Sequence, residues 1–392
     1  MLQSIEIPSS KSLMNRALIL QSYFPALQIL GNTKSEDVLY LQQSLARMSS
    51  ERELNVGEGG TTLRFLALRI SRIPGKWILR GKESLFRRPH AGLADLMNQL
   101  NIKNNWGKDF VEIYSEGWKI PSEIYIDSKD SSQFATSLLL NSCNLDKDLN
   151  FSMQKEQNSE SYFDMSLKFF RQVGFQVIES SKTSNRRSFR ILAGQKPAIT
   201  EVKIEIDLSS VFSMACLAAL HQNLEIKNFP FESTQPDLEF LNLFQKMGIL
   251  TEKINKSLLI HQTKSLSPLV ANLKNGPDLF PVLACLCSQA QGVSQLTGAS
   301  QLAHKESDRL AKTKELLDLC GVPNQLLNDG LEISGYSNTF KNTQLNFDPA
   351  SDHRMAMAAA LMKSIGHNIK ISNPKVVDKS FPEFWQLSGL QP

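Results

Sequence analysis

Apolar positions along the chain follow two alternating periods. Residues 2–7 alternate apolar and polar, which predicts a short strand. Residues 7–20 (IPSSKSLMNRALIL) then switch to helical spacing, with Leu13, Ala17, Leu18 and Leu20 able to face a core. The switch recurs. Residues 54–66 (LNVGEGGTTLRFL) predict a strand, a glycine turn and a helix from Thr61-Thr62. Residues 122–140 (SEIYIDSKDSSQFATSLLL), 204–220 (IEIDLSSVFSMACLAAL), 272–287 (NLKNGPDLFPVLACLC) and 347–362 (FDPASDHRMAMAAALM) repeat it. A strand, a polar turn and a small-residue helix therefore return near residues 8, 57, 128, 207, 278 and 349, at a spacing that settles near about 70 residues. Shorter strands and amphipathic helices alternate between them. The expected fold is α/β (α+β), built from about six similar modules, three per domain, with several helices buried on all sides.

The polar turns have one chemistry in common. Lys11, Ser12 and Arg16 sit in the first turns of their helix. Gly59 and Gly60 permit close backbone approach. Ser131, Ser132 and Gln133 are expected in the first turn of the next helix. Asp207 with Ser209 and Ser210, then Asp278, then Asp352 with His353 and Arg354, mark the rest. A helix start offers unpaired N–H groups and a partial positive charge, so cations and hydroxyls there suit an anion such as phosphate. Serine and aspartate also cap helices with no ligand involved, and for any single turn both readings stand. Arg87 and Arg88 before Pro89 fit the first turn of a helix that continues through Leu93, Leu96 and Leu100, or a solvated surface.

Composition narrows this modestly. The chain has 392 residues, 41% hydrophobic and 21% charged, enough for two domains. A net charge of +4, with no basic block and no aromatic RNA-binding pattern, argues against a nucleic-acid partner. Cys143, Cys216, Cys285, Cys287 and Cys320 form no CxxC and read as small buried hydrophobes in a reducing compartment. No apolar run approaches the length of a membrane span, and the first residues lack a signal segment, so a cytoplasmic protein is expected.

Two stretches near the C-terminus carry mixed charge. Residues 302–310 (LAHKESDRL) place Lys305, Glu306, Asp308 and Arg309 together, as a solvated helix or as a site in which cations face an anion while Glu306 carries a proton. Lys379 lies in VVDKSF, residues 376–381. Taken in order, IPSSKSLMNRA, GGTTLRFL, RRP, DSSQFATSLLL, DLSS, GPD, HKESDRL, DHRMAM and DKSFPEF resemble the EPSP synthase (3-phosphoshikimate 1-carboxyvinyltransferase) family over essentially the whole chain. KESDR, DHRMAM and KSFP are the most specific.

The resemblance implies a two-domain enolpyruvyl transferase fold of six βαβαββ modules. Residues 1–10 and 206–392 would form one domain and 11–205 the other, with the active site in the cleft between them. It implies transfer of the enolpyruvyl group of phosphoenolpyruvate to the 5-hydroxyl of 3-phosphoshikimate, without metal or organic cofactor, by a monomer. Implied phosphoenolpyruvate ligands are Lys11, Gly60, Arg88, Gln133, Arg309, Arg354 and Lys379. Implied 3-phosphoshikimate ligands are Lys11, Ser12, Arg16, Ser131, Ser132, Gln133, Ser159, Asp278, Gln301 and Lys305. Asp278 resembles the base at the 5-hydroxyl, Glu306 the acid near the methylene carbon, and Lys11 a proton shuttle. The chain departs from the family pattern at Glu58-Gly59 (Asn-Ala in the family), Phe65, Ala303 and Gln301. An enolpyruvyl transferase for another acceptor, and a non-catalytic phosphoanion-binding relative, are the alternatives.

Overall fold

The computed structural model describes residues 3–155, 159–183, 185–335 and 343–392. The chain divides into two compact units: Met1–Ser9 with Glu205–Pro392, and Ser10–Ile204. Each has its own apolar core.

In the continuous unit, strands Glu53–Gly57, Gly75–Gly81, Phe110–Ser115 and Lys103–Trp106 lie side by side in that order. The first pair is parallel and the rest antiparallel. Parallel pairing needs a crossover, and the helix Gly60–Ser71 supplies it. Strands Ile124–Ile126, Leu149–Gln154, Arg186–Ile191 and Val177–Thr183 repeat the arrangement around the helix Gln133–Asn141. In the discontinuous unit the same βαβαββ order gives Val270–Asn272, Val293–Thr297, Gly330–Ser334 and Asn324–Leu327, with the helix Phe280–Cys287 as crossover.

The fourth full sheet borrows its first strand from the start of the chain. Gln3–Ile5 pairs in parallel with Leu224–Ile226, followed by Ser257–Ile260 and Thr251–Ile254. The remaining module of each unit is reduced, among the described residues, to a parallel pair. These are Glu201–Lys203 with Gln28–Leu30, and Leu345–Phe347 with Ile369–Ile371. Six modules are thus present, four of them with all four strands.

The crossover helices are buried because they carry no broad polar face. From His353 to Met362 every residue of the helix His353–Ser364 is buried, and Leu208–Ala219 are buried in the helix Leu208–His221. All five cysteines are buried and free, and burial pushes the Cys143 and Cys287 thiols up to about 12. Among the described residues no helix is long and apolar enough to cross a membrane.

Several boundaries differ from the sequence reading. Ser131 lies before the helix Gln133–Asn141 and Ser132 is its N-cap, so only Gln133 is helical. Pro89 lies outside the helix Ala91–Gln99, whose N-cap is His90, so Arg87 and Arg88 lie in the link after the short helix Glu83–Phe86. Residues 302–310 are not one helix. A 3-10 turn, Ser300–His304, ends before Lys305, and Asp308 caps the next helix, Arg309–Leu319, by accepting from Ala311 N at 3.0 Å. The carboxylate of Asp308 satisfies a helix-start donor, and the chain is extended at Lys305 (ψ −152°), which ends the preceding turn.

Candidate active site

In the discontinuous unit, helix and turn starts from four parts of the chain meet around Asp278. It lies in a 3-10 turn, Pro277–Leu279, that leads into the helix Phe280–Cys287. Its Oδ1 accepts from Arg309 Nη1 at 2.8 Å, with Lys305 Nζ 3.8 Å away; its Oδ2 accepts from Arg354 Nη2 at 2.8 Å. Burial alone would push this carboxyl up. The charges of Arg354, Lys305 and Arg309 outweigh that and hold it well below the usual 3.8.

Arg309 is 1% exposed and faces three carboxylates. Besides Asp278, its Nε and Nη2 donate to Asp352 Oδ2 and Oδ1 at 2.7 and 3.3 Å, and Nη2 donates to Glu306 Oε2 at 2.7 Å. Burial lowers the proton affinity of the guanidinium, but Asp352, Glu306 and Asp278 together raise it above its ordinary value. Asp352, fully buried, also caps the helix His353–Ser364 through Arg354 N at 2.9 Å and accepts from Ser307 Oγ at 3.1 Å. Arg354 Nη2 reaches Ser209 Oγ at 2.9 Å, and Ser209 Oγ donates to Asp207 Oδ1 at 2.7 Å. A single hydrogen-bonded chain thus runs from Asp207 through Ser209, Arg354, Asp278 and Arg309 to Glu306 and Asp352. Gln301 is buried and bonds to Lys274 O at 3.2 Å, and Lys379 is buried at the end of the turn Pro374–Lys379.

In the continuous unit, Lys11 opens the helix Lys11–Tyr23, and its Nζ lies 3.0 Å from Asp37 Oδ2. Thr62 Oγ1 donates to Asp37 O at 2.9 Å, which ties Lys11 to the start of the helix Gly60–Ser71. A Cβ at Gly60 would lie 2.9 Å from Arg88 Nη1, so glycine there lets the guanidinium approach the backbone. Arg16 is 2% exposed and donates to Ser12 O at 2.6 Å, Ser166 Oγ at 2.8 Å and Tyr162 O at 3.3 Å. It lies 5.6 Å from the centre of the buried Phe65 ring. None of its partners among the described residues is a carboxylate, and burial lowers its proton affinity to about 9. Ser159 is buried in a left-handed conformation as the N-cap of the helix Glu160–Gln172, and its carbonyl accepts from Tyr162 N at 3.0 Å.

Arg64 joins the remaining candidates. Its Nη1 donates to Gln133 Oε1 at 2.7 Å and Ser131 Oγ at 3.2 Å, and its Nη2 to Pro89 O at 3.1 Å. Neither Arg64 nor Asp37 stands out among the sequence candidates. A lone cation inside the apolar run TTLRFLAL was the available signal for Arg64. The sequence marks Asp352 only as a helix start, and its grip on Arg309 is a tertiary contact with no sequence mark. Of the departures, Glu58 pairs with Lys82 at 2.6 Å, Phe65 packs in the core and Ala303 is exposed.

The family model described as EPSP synthase (3-phosphoshikimate 1-carboxyvinyltransferase) matches residues 21–387. A 3-phosphoshikimate 1-carboxyvinyltransferase of Clostridium beijerinckii is 25% identical, with 97% of this chain and 93% of that protein covered. One of Pyrococcus furiosus is 28% identical, covering 97% and 91%. Among solved structures, EPSP synthase from Acinetobacter baumannii superposes with a TM-score of 0.75 at 20% identity, covering 98% of this chain and 94% of that one. The enolpyruvyl transferase NikO from Streptomyces tendae gives 0.71 at 14% identity, with the same coverage. At such identities these two structures establish the fold, while the sequence match runs nearly end to end. The chain belongs to the EPSP synthase family.

Proposed function

We propose that the chain transfers the enolpyruvyl group of phosphoenolpyruvate to the 5-hydroxyl of 3-phosphoshikimate, releasing phosphate, in the shikimate route to chorismate and aromatic amino acids. The observation that carries this reading is the arrangement around Asp278: one carboxylate bridging two guanidinium groups, with a second carboxylate, Glu306, on one of the same cations.

The reaction adds and then eliminates. The 5-hydroxyl oxygen bonds to the phosphate-bearing carbon of the donor while the methylene carbon takes a proton. The C–O bond to phosphate then breaks as the new methyl group returns a proton, which restores the double bond. Asp278, ionised, takes the hydroxyl proton; Glu306 serves the methylene carbon; Lys11 shuttles a proton. Arg88, Arg309, Arg354, Lys379 and Lys11, with Gln133 and the backbone at Gly60, are the proposed donor ligands. Guanidinium forks suit phosphate and carboxylate oxygens. Ser12, Arg16, Ser131, Ser132, Gln133, Ser159, Gln301 and Lys305, with Lys11 and Asp278, are proposed for 3-phosphoshikimate. Arg16 supports this most directly, because a buried cation whose partners among the described residues are hydroxyl and carbonyl oxygens is an electrostatic host for a phosphate. The fixed charges act on the developing charge of the transition state.

The deciding experiment is phosphate release from phosphoenolpyruvate with and without 3-phosphoshikimate. Acceptor-dependent release is expected and is unaffected by a chelator; its absence from folded protein sinks the reading. The same reading includes a cytoplasmic location, which the buried free cysteines support, and a monomer. Sedimentation at micromolar concentration tests the monomer, and cell fractionation the location.

A further inference from the structure

Glu58 brings a carboxylate to within two residues of Gly60, where Arg88 meets the backbone. Successive Cα atoms are 3.8 Å apart, so the Glu58 backbone lies within about 8 Å of that contact. An uncompensated negative charge at this range opposes a donor that carries both a phosphate and a carboxylate. Glu58 does not stand uncompensated. Its side chain is 14% exposed, and its Oε1 lies 2.6 Å from Lys82 Nζ. The backbone fixes Lys82 over the same turn, since its N–H donates to Gly57 O at 2.9 Å. Gly57 itself takes the left-handed conformation, φ +59°, that ends the strand Glu53–Gly57 and starts the turn. The hydrogen bond and charge of Glu58, the latter joined by Glu36, raise the proton affinity of Lys82, so Lys82 stays charged at neutral pH. The Lys82 side chain is 71% exposed. Its removal therefore takes little packing with it, but takes away a positive charge held 2.6 Å from the Glu58 carboxylate.

We propose that Lys82 is a positioning residue of the donor site: it holds the Glu58 carboxylate and cancels its charge, so that the turn Glu58-Gly59-Gly60 accepts an anion while carrying an acid. This rests on the donor-site reading of Gly60 and Arg88. A plain turn-stabilising role for Lys82 predicts different outcomes, because it does not depend on the charge of Glu58.

The test compares wild type, Lys82→Met, Lys82→Arg, Glu58→Gln and the double variant Glu58→Gln/Lys82→Met. KM for phosphoenolpyruvate and kcat are measured at saturating 3-phosphoshikimate. Lys82→Met is expected to raise KM about three- to tenfold, the range of one screened charge at this distance, with kcat within about twofold. Lys82→Arg keeps KM near wild type. Glu58→Gln leaves KM unchanged or lowers it, and the double variant returns it to within about twofold of wild type. Adding salt shrinks the Lys82→Met effect, because screening weakens the repulsion. An unchanged KM in Lys82→Met, or a double variant that keeps the raised KM, overturns the inference. Calorimetric binding of phosphoenolpyruvate to the same five proteins reads the same shifts without turnover. A wild type that binds the donor with this pattern but releases no phosphate sinks the enolpyruvyl reading alone; a wild type that turns over without the pattern sinks this inference alone.

Discussion

Asp278 spends both of its carboxylate oxygens on guanidinium groups. The two cations proposed to take the donor's anionic groups are therefore already engaged by the proposed base. On that proposal, donor and Asp278 would compete for Arg354 and Arg309 until the acceptor hydroxyl gives Asp278 another partner. Asp278→Asn should lower turnover by at least about a hundredfold, as expected for loss of a positioned base. It should also bind phosphoenolpyruvate more tightly than wild type, by calorimetry in the absence of acceptor. Weaker donor binding in this variant contradicts the competition. Arg16 behaves in the opposite sense. Its burial with no carboxylate against it among the described residues costs stability, so Arg16→Met should keep or raise the thermal midpoint. The stabilisation that excess 3-phosphoshikimate gives wild type in a thermal melt should be lost in that variant.

The link that carries Arg88 shows how an element is held by groups outside it. Arg64 donates to Pro89 O, and His90 Nε2 donates to Leu85 O at 2.9 Å while the ring stacks on Trp106 at 4.8 Å between centroids. Burial, then the charges of Arg64 and Arg88, lower the proton affinity of His90 from 6.5 to about 3. The folded protein therefore keeps this ring neutral while the unfolded chain binds a proton below pH 6.5. Stability contributed by neutral His90 is full above pH 6.5 and is lost as pH falls from there toward 3, on the order of 5 kcal/mol at most. In His90→Phe the stability of this unit should depend less on pH over that interval, as read by urea denaturation at pH 4.5 and 7. An equal pH dependence in the variant contradicts the buried neutral ring. At this scale the sequence was informative where an element stands alone and misleading where tertiary contacts decide. The helices after Lys11, Asp207 and Asp352 follow from apolar spacing and a polar cap. For residues 302–310 the sequence leaves a solvated helix and a site both open, and what separates them is Lys305 turning to Asp278, a contact between residues 27 positions apart that no local pattern records. The same limit hid Asp37 and Arg64, whose partners lie in other elements.

Across the whole molecule, the six-fold recurrence of strand, polar turn and buried helix was legible because each module needs an apolar crossover helix, and such helices are conspicuous in composition. Which strands share a sheet was less so. Gln3–Ile5 pairs with Leu224–Ile226, and Glu201–Lys203 with Gln28–Leu30, and three-residue strands leave almost no periodic signal. Ile5 and Ile7 are buried in the core of the discontinuous unit, whereas Ile204 belongs to the other. Ile5→Asp should destabilise the discontinuous unit by roughly 3 kcal/mol. Hydrogen exchange should show lost protection at Leu224–Ile226 and unchanged protection at Glu53–Gly57; equal loss in both units contradicts their separate cores.

The strand Gln3–Ile5 also sets an order of events during synthesis. Gln3 and its partner Gln222 are 219 residues apart, and the whole continuous unit lies between them. At about 5–20 residues per second, the ribosome takes on the order of ten to forty seconds to cover that interval. The continuous unit can complete its core in that time, while the first strand of the sheet, with its unpaired edge, has no native partner yet made. The strand Gln3–Ile5 is thus made early and satisfied late, and its short length and the charge of Glu6 limit wrong pairings during the wait.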